Sequence, residues 1–354
     1  MITIGVDAHK RVHVAVAVDE AGCEIARWHG PNSVAGWQGL AAWAATLGPD
    51  CRWGIEGAWN YGRGLAQQLV AAGAAVYEVN PRWTAEGRRH ARRSDKNDQL
   101  DARAIALYLR REAAALTALV AEDDTTVLAL LVTERDDLVA ETTRLRNQLH
   151  QLLLHLDPEY TAHLPSPRTQ AGVRDLEGYT SASPCPLRQQ RAAGVRRLAQ
   201  RLRLVAEQAK ALAAQIRALA AQRFTRLTAI CGVSLLTAGA LAGLLGPGRR
   251  FASDAQLAAF AGVAPLEISS AGRVRHRLNR GGNRRLNAIL YRIALTQLRH
   301  SAQAQAYVAR RVTEGKTKRE ALRALKRFIV RAIWRQWQQC QDTQTVAMVP
   351  AAVA

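Results

Sequence analysis

Paired cysteine, aromatic bulk and negative charge are all scarce in this chain. Its 354 residues include only 5 cysteines. Cys23, Cys51, Cys185, Cys231 and Cys340 stand far apart, and no CxxC pair occurs. Their number and spacing exclude a disulfide framework and a cysteine zinc site, and they fit a reducing compartment. No apolar run approaches the ~20 residues that span a bilayer; the most apolar stretch is Leu235–Leu245. Met1–Lys10 carries an aspartate and no long apolar segment, so no signal peptide is read there and a cytoplasmic location is expected. Acidic residues number 29 against 49 Lys and Arg, a net charge of +20. That imbalance calls for a polyanionic partner, most simply nucleic acid. The excess is spread over folded-looking segments rather than one terminal tract, which argues against a basic membrane-surface tail. Hydrophobic residues make up 48% of the chain, enough to build cores and to exclude wholesale disorder. The length suits two or three domains.

The first 80 residues alternate between two periodicities. Ile2–Val6 is apolar and β-branched, and Val12, Val14, Val16 and Val18 recur at period two, the spacing of a half-buried strand. Asp19–Gly22 reads as a hairpin turn, with a returning strand at Cys23–Trp28. Ser33 is placed to cap a helix bearing Trp37, Leu40 and Trp43. Cys51–Glu56 reads as a fourth strand, about 61–72 as a helix ended by Gly73, and Ala75–Val79 as a fifth strand. Pro81 opens a further helical region. A hairpin stands where a parallel sheet would need its first crossover helix, and no GxGxxG follows the first strand. The expectation is an α/β domain with a mixed sheet over 1–118.

Residues 119–222 change character. Leu138, Leu145, Leu149, Leu152 and Leu156, with Thr142 in the seam, follow 3-4 spacing, as do Val195, Leu198, Leu202, Val205, Ala209, Leu212, Ile216 and Leu219. Two long helices with narrow seams predict an antiparallel coiled coil or bundle. Prolines and glycines crowd 157–190, which is expected to be a loop or flexible insertion. Residues 223–340 read as a third, helical domain, and 341–354 as a frayed, disordered tail. Between positions 271 and 335 stand 18 Lys and Arg against only Glu314 and Glu320. The basic run at 310–335, close to Trp334 and Trp337, fits binding to a nucleic-acid backbone.

Four carboxylates are spaced for chemistry. Asp7 ends the first strand and Glu56 the fourth, while Asp98 and Asp101 lie three apart, one face of a helix. Strand-end acids become neighbours when their strands pair, and a helix across the sheet brings the others. Such a cluster suits a pair of Mg²⁺ ions in phosphoryl transfer. Each acid alone reads more simply as a turn, a surface ion pair or a favourable charge at a helix N-terminus. The combination carries the inference. Asp95 also falls three residues before Asp98. His9 and His13, flanking the first turn, read as surface histidines, since no partner stands at metal-ligand spacing. Ile230–Ser234 offers a weak helix-hairpin-helix turn.

Val6-Asp7-Ala8-His9-Lys10, Ile55-Glu56-Gly57 and Lys96-Asn97-Asp98-Gln99-Leu100-Asp101-Ala102 together resemble the D-E-D-D signature of the one-ten insertion-sequence transposases. Gly232-Val233, Phe251-Ala252-Ser253, Gln256–Pro265 and Gly282-Asn283-Arg284-Arg285-Leu286 resemble that family's second block. The resemblance implies an RNase H-like (RuvC-like) mixed-sheet domain, a long antiparallel coiled coil and a helical C-terminal domain. It implies Mg²⁺ at Asp7, Glu56, Asp98 and Asp101, and a serine nucleophile in the second block. Ser270 fits that position better than Ser269 by its distance from Pro265 and Val274, although Ala271 departs from the pattern. Arg273, Arg275 and Arg277, with Arg284 and Arg285, would then face nucleic acid. Donor and target DNA, a structured guide RNA and a homo-dimer or tetramer are the implied partners. The activity implied is cutting and rejoining of DNA through a phosphoserine link. Two rivals stay open: a RuvC-like junction nuclease using metal-activated water, and a non-catalytic nucleic-acid scaffold.

Overall fold

The computed structural model describes residues 1–81, 97–264, 266–270, 273–277, 279 and 281–347; for 266–270, 273–277 and 342–347 the description is of the backbone. These residues form two compact units, Met1–Asp123 with Pro247–Ala252, and Asp124–Gly246 with Ser253 onward. The expected helix after Pro81 and the acid Asp95 lie outside the described residues.

The first unit is a five-stranded mixed sheet with helices on both faces. Strands β1 (Ile2–Ala8), β2 (Val12–Val18) and β3 (Glu24–Pro31) form an antiparallel meander. Helix α1 (Val34–Leu47) leads to β4 (Cys51–Glu56), and α2 (Arg63–Ala71) leads to β5 (Ala75–Val79). Both later strands run parallel to β1, giving the order β3-β2-β1-β4-β5. Ser33 caps α1 by accepting a hydrogen bond from the Gly36 amide at 3.2 Å, as its position predicted. The strand period of two then divides the work of β1. Ile4, Val6 and Ala8 pack with Leu40, Ala44, Leu65 and Leu69 of α1 and α2. Thr3, Gly5 and Asp7 fall on the other face, where helix α3 (Asp98–Glu112) lies. The α3 residues Ala102 and Ala106 pack against Val14, Val16 and Val18, and Ile105 and Leu109 against Val79. The returning chain bonds along β5, the Leu119 amide donating to the Val76 carbonyl at 2.7 Å. The short segment Pro247–Ala252 completes this unit. Its Arg250 guanidinium acts on the Glu78 carboxylate and lies over the Phe251 ring at 5.3 Å.

The second unit is helical. Helices α4 (Asp124–Leu156) and α7 (Pro186–Arg223) pair antiparallel, with Arg201 bonded to Glu141 near the middle and Arg191 to the His155 carbonyl near the end. The seam holds Leu145, Leu149, Leu153 and Leu156 against Val195, Ala199, Leu202 and Val205. Leu153 and Ala199, rather than Leu152 and Leu198, are fully buried. A straight helix drifts from a strict 3.5 repeat, so the buried stripe moves one position along. Both seams are filled within the chain, and they give no argument of their own for a partner chain. The proline-rich segment 157–190, read as loop, carries α5 (Tyr160–His163) and α6 (Gln170–Glu177). Thr169 caps α6, and Tyr160, Val173 and Leu176 close the end of the seam.

Helix α8 (Leu235–Leu245) packs close to this pair through two glycines. A Cβ on Gly239 would lie 2.5 Å from Ile216 Cγ2, and one on Gly243 2.7 Å from the Ala129 amide nitrogen. Beyond it come α9 (Asp254–Phe260), α10 (Arg284–His300), α11 (Ala302–Thr313) and α12 (Lys318–Ala347). The last of these runs on into the segment read as a tail. Between α9 and α10 stands a hairpin, β6 (Leu266–Ser270) with β7 (Arg273–Arg277), where an all-helical domain was expected. Val274, Ile268 and their neighbours alternate with polar residues, a strand period that the density of arginine disguises. Trp337 is 1% exposed and stacks on Phe224 at 5.5 Å. It belongs to the core and not to a nucleic-acid surface. Part of the basic run is likewise engaged: Arg327 and Arg331 bind Asp254, and Arg311 binds Glu314.

Candidate active site

Two glycines let the helix that carries Asp98 and Asp101 approach the strand ends that carry Asp7 and Glu56. In the β1–β4 register Gly5 pairs with Gly54, and two residues on Asp7 pairs with Glu56. A Cβ on Gly5 would lie 2.1 Å from the Ala102 carbonyl oxygen and 2.3 Å from the Ala106 nitrogen. One on Gly54 would meet Ile105 and Leu109 at 3.2 Å. Bare backbone at these positions lets α3 lie directly on the sheet. Its first turn, which carries Asp98 and Asp101, then sits over the ends of β1 and β4. Asn97 fixes where the helix starts, its side-chain oxygen accepting from the Gln99 amide at 2.9 Å. Arg27 of β3 bonds Gln99 at 2.7 Å and tethers the same turn.

Asp7 and Asp101 are each 7% exposed. Burial holds the Asp7 carboxyl above its ordinary value; Asp101 and Asp98 push it the same way, and the His9 imidazole pulls it back. His9 is the residue the sequence reading misplaced. Its Nε2 stands 3.1 Å from Asp7 and 3.6 Å from Asp98. Asp7, His9 and Asp98 offer ligand atoms that all lie within 4.8 Å of one another. The signal was present in the sequence as Asp7-Ala8-His9, a histidine in the turn directly after a strand-end acid, where its amide donates to the Val12 carbonyl at 3.0 Å. His13, read as a surface histidine, is fully buried, and burial lowers its pKa. Glu56 stands beside Asp7 in register, outside that tight group of three. Gly57, at φ +69°, ends the strand immediately after it, and its carbonyl accepts from the Asn60 and Gly62 amides. The donor set is dominated by carboxylate oxygens, which suits a hard divalent cation.

Residues 4–158 match a DEDD transposase family of IS110 elements, and residues 224–309 match the family described as Transposase IS116/IS110/IS902. The insertion element IS110 uncharacterized 43.6 kDa protein of Streptomyces coelicolor is 31% identical over 280 residues, covering 66% of this chain and 68% of that one. This chain belongs to the IS110 transposase family. Its five-stranded mixed sheet and the four acids fall within the residues matched by the DEDD family, the nuclease-like part of such a transposase. Two solved structures of Thermus thermophilus RuvC, one in complex with a Holliday junction substrate, are 14% and 16% identical. They cover 34% of this chain and 99% and 100% of their own, each with a TM-score of 0.28, too slight a likeness to add to the strand order itself.

The transposase block in the second unit carries the remaining expected residues. Ser270 ends β6 and pairs with Arg273, while Ser269 pairs with Val274. By strand period, positions 273, 275 and 277 share the face of position 270. Arg284 and Arg285 open α10, capped by Asn283, which accepts from the Leu286 amide at 2.9 Å. Arg284 is exposed, whereas Arg285 holds Asp136 at 2.8 Å and Thr133 at 3.0 Å. Sequence reasoning missed Asn32 altogether. Its side chain donates to the carbonyls of His9, Lys10 and Tyr61 and accepts from Trp37. It thereby pins the turn that holds His9 to the loop after Glu56. Little in the local sequence marks such a residue, because the three carbonyls it binds are distant in sequence.

Proposed function

We propose that this transposase cuts and rejoins DNA by Mg²⁺-dependent phosphoryl transfer, with Ser270 as the nucleophile and a phosphoserine link as the intermediate. The observation that carries the reading is the gathering of Asp98 and Asp101 against Asp7, with Glu56 beside Asp7 in the β1–β4 register, on a sheet left bare at Gly5 and Gly54. Asp7 and Asp98, with Glu56 and Asp101 around them, would hold the metal; bound there, it would neutralise charge on the scissile phosphate and polarise its ester bond. The chain's own groups do the rest. Serine attack exchanges one phosphoester for another, the Oγ–P bond forming as the P–O bond to the sugar breaks, so the linkage energy is kept for rejoining. Positions 273, 275 and 277, on the face of position 270, are placed to steady the phosphate and its developing charge. That shared face favours Ser270 over Ser269. The proposal includes an element-encoded guide RNA that reads sequence by base pairing, leaving the protein to bind backbone and shape. It also includes action as a dimer or tetramer. The surplus of 20 positive charges supports a partner set of this kind.

A covalent-trapping assay tests the reading. Protein, Mg²⁺, the element's flanking RNA and labelled junction DNA are combined and resolved on a denaturing gel. The expected result is a protein–DNA adduct that persists in Ser269→Ala and vanishes in Ser270→Ala. Cleavage without an adduct means water attack and a junction nuclease. Tight binding with neither cleavage nor adduct means a scaffold.

A further inference from the structure

Far along the helical pair from the transposase block, the end of α4 and the turns around α5 enclose a cavity of about 420 Å³. Arg146, Asn147 and His150 of α4 form one wall, and Tyr160, Thr161, Ser166 and Arg168 line the rest. We propose that this cavity is a nucleic-acid subsite that grips one phosphodiester through Arg146 and Arg168. The inference rests on the reading of the chain as a nucleic-acid enzyme and adds a contact outside its acidic site.

Three observations support it. The lining holds two guanidinium groups and no carboxylate. On the partner helix, by contrast, Arg201 is neutralised by Glu141 and Arg203 by Glu177. Arg146 and Arg168 have no carboxylate partner among the described residues; Glu141, on the same helix as Arg146, is taken by Arg201 at 2.7 Å, and Asp157 by His163 at 2.7 Å. A concave site with two uncompensated cations is electrostatically incomplete.

The walls are also held in place. Nε of Arg146 donates to the Pro167 carbonyl at 3.4 Å, which fixes the plane of the guanidinium and leaves its terminal nitrogens for a bidentate acceptor. The Ser166 hydroxyl accepts from the Arg168 amide and its carbonyl from Thr169, so the turn bearing Arg168 is closed by its own residues. Buried Tyr160 sets the floor, its hydroxyl 2.5 Å from Nδ1 of His150. Finally, the volume is at the small end of ligand clefts. It accommodates a single nucleotide unit and excludes a duplex, so the phosphodiester arrives on a single strand or at a bulge. RNA and DNA share that chemistry.

The test is equilibrium binding of the full-length protein to labelled single-stranded RNA, single-stranded DNA and duplex DNA, over a range of KCl. Arg146→Gln with Arg168→Gln is compared with Arg197→Gln with Arg217→Gln, which removes the same charge from exposed positions on α7. The cavity variant is expected to lose at least about fivefold in affinity for one single-stranded ligand, with a log–log salt slope shallower by about 0.7, the share of one single-strand phosphate. The ligand that suffers identifies the source. The control pair is expected to change affinity less than twofold. Equal losses in both pairs, or none in the cavity pair, overturn the proposal. Should the double variant melt differently from wild type, Arg168→Gln alone, on an exposed turn, gives the same reading. Wild-type protein that binds none of the three ligands would sink the nucleic-acid reading as well; binding that ignores the cavity sinks the subsite alone.

Discussion

At Asp7 a single side chain carries opposing demands. Its carboxyl is buried beside two other acids, a costly arrangement without a cation. Asp7→Asn keeps the shape and removes the charge. It is expected to raise the melting temperature measured in EDTA, to abolish the stabilisation that Mg²⁺ gives the wild type, and to reduce DNA cleavage to background with binding retained. Thermal melts with and without Mg²⁺ check the first two. For a wild type at 100 times its Kd, ligand stabilisation amounts to about 2.7 kcal/mol. An equal Mg²⁺ response in Asp7→Asn would remove Asp7 from the metal site. His13 gives a pH dependence of definite sign. Its folded-state pKa lies below the ordinary 6.5 because burial disfavours the imidazolium. Below that pH the unfolded chain takes a proton that the folded chain refuses, so stability falls as pH falls, by at most about 1.4 kcal/mol per unit. Subtracting the curve of His13→Gln from that of the wild type isolates this part; a flat difference below pH 6.5 would contradict it. At this scale Asp7 and Glu56 were legible, because an acid closing an apolar strand is locally odd. Asn32 was not, because its role lies in partners 22, 23 and 29 positions away.

Among the elements, α3 decides whether there is a site at all. Its buried face, Asp101, Ala102, Ile105, Ala106 and Leu109, is small near its start, and it meets a sheet stripped of side chains at Gly5 and Gly54. Gly5→Ala would place a methyl group against the α3 backbone, where no side chain can rotate away. We expect a loss of about 1–3 kcal/mol or more, together with loss of the Mg²⁺-dependent stabilisation, as the helix and its acids are pushed off the sheet. Denaturant titration measures the first and the melt series the second. A variant with wild-type stability and metal response would show that the close approach is not required. In the helical pair, Leu149→Ala and Leu202→Ala each remove a fully buried seam residue and are expected to cost about 2–5 kcal/mol by the same titration. The order of strands and helices was readable from period and turn residues. The exact seam and the β6–β7 hairpin were not. A 3-4 repeat leaves two adjacent stripes nearly equivalent, and a short strand rich in arginine does not look like a strand by composition.

For the molecule as a whole, the governing quantity is charge. The net +20 overstates what a nucleic acid can use, because several arginines are already held by acids within the fold: Arg285 by Asp136, Arg327 and Arg331 by Asp254, Arg311 by Glu314. Binding should therefore follow the phosphates neutralised and not the formal charge. Each neutralised phosphate of a duplex contributes about −0.9 to the slope of log K against log salt. An interface of roughly 6–10 contacts predicts a slope of about −5 to −9, and a loss of about 10³–10⁵ in affinity between 50 and 200 mM salt. A KCl titration of duplex binding reads this directly. A slope near −18, one unit of charge for every unit of the formal surplus, would mean that the internal ion pairs open to meet DNA. A slope near −2 would mean that only about two phosphates are neutralised and that protein charge plays a small part in holding DNA.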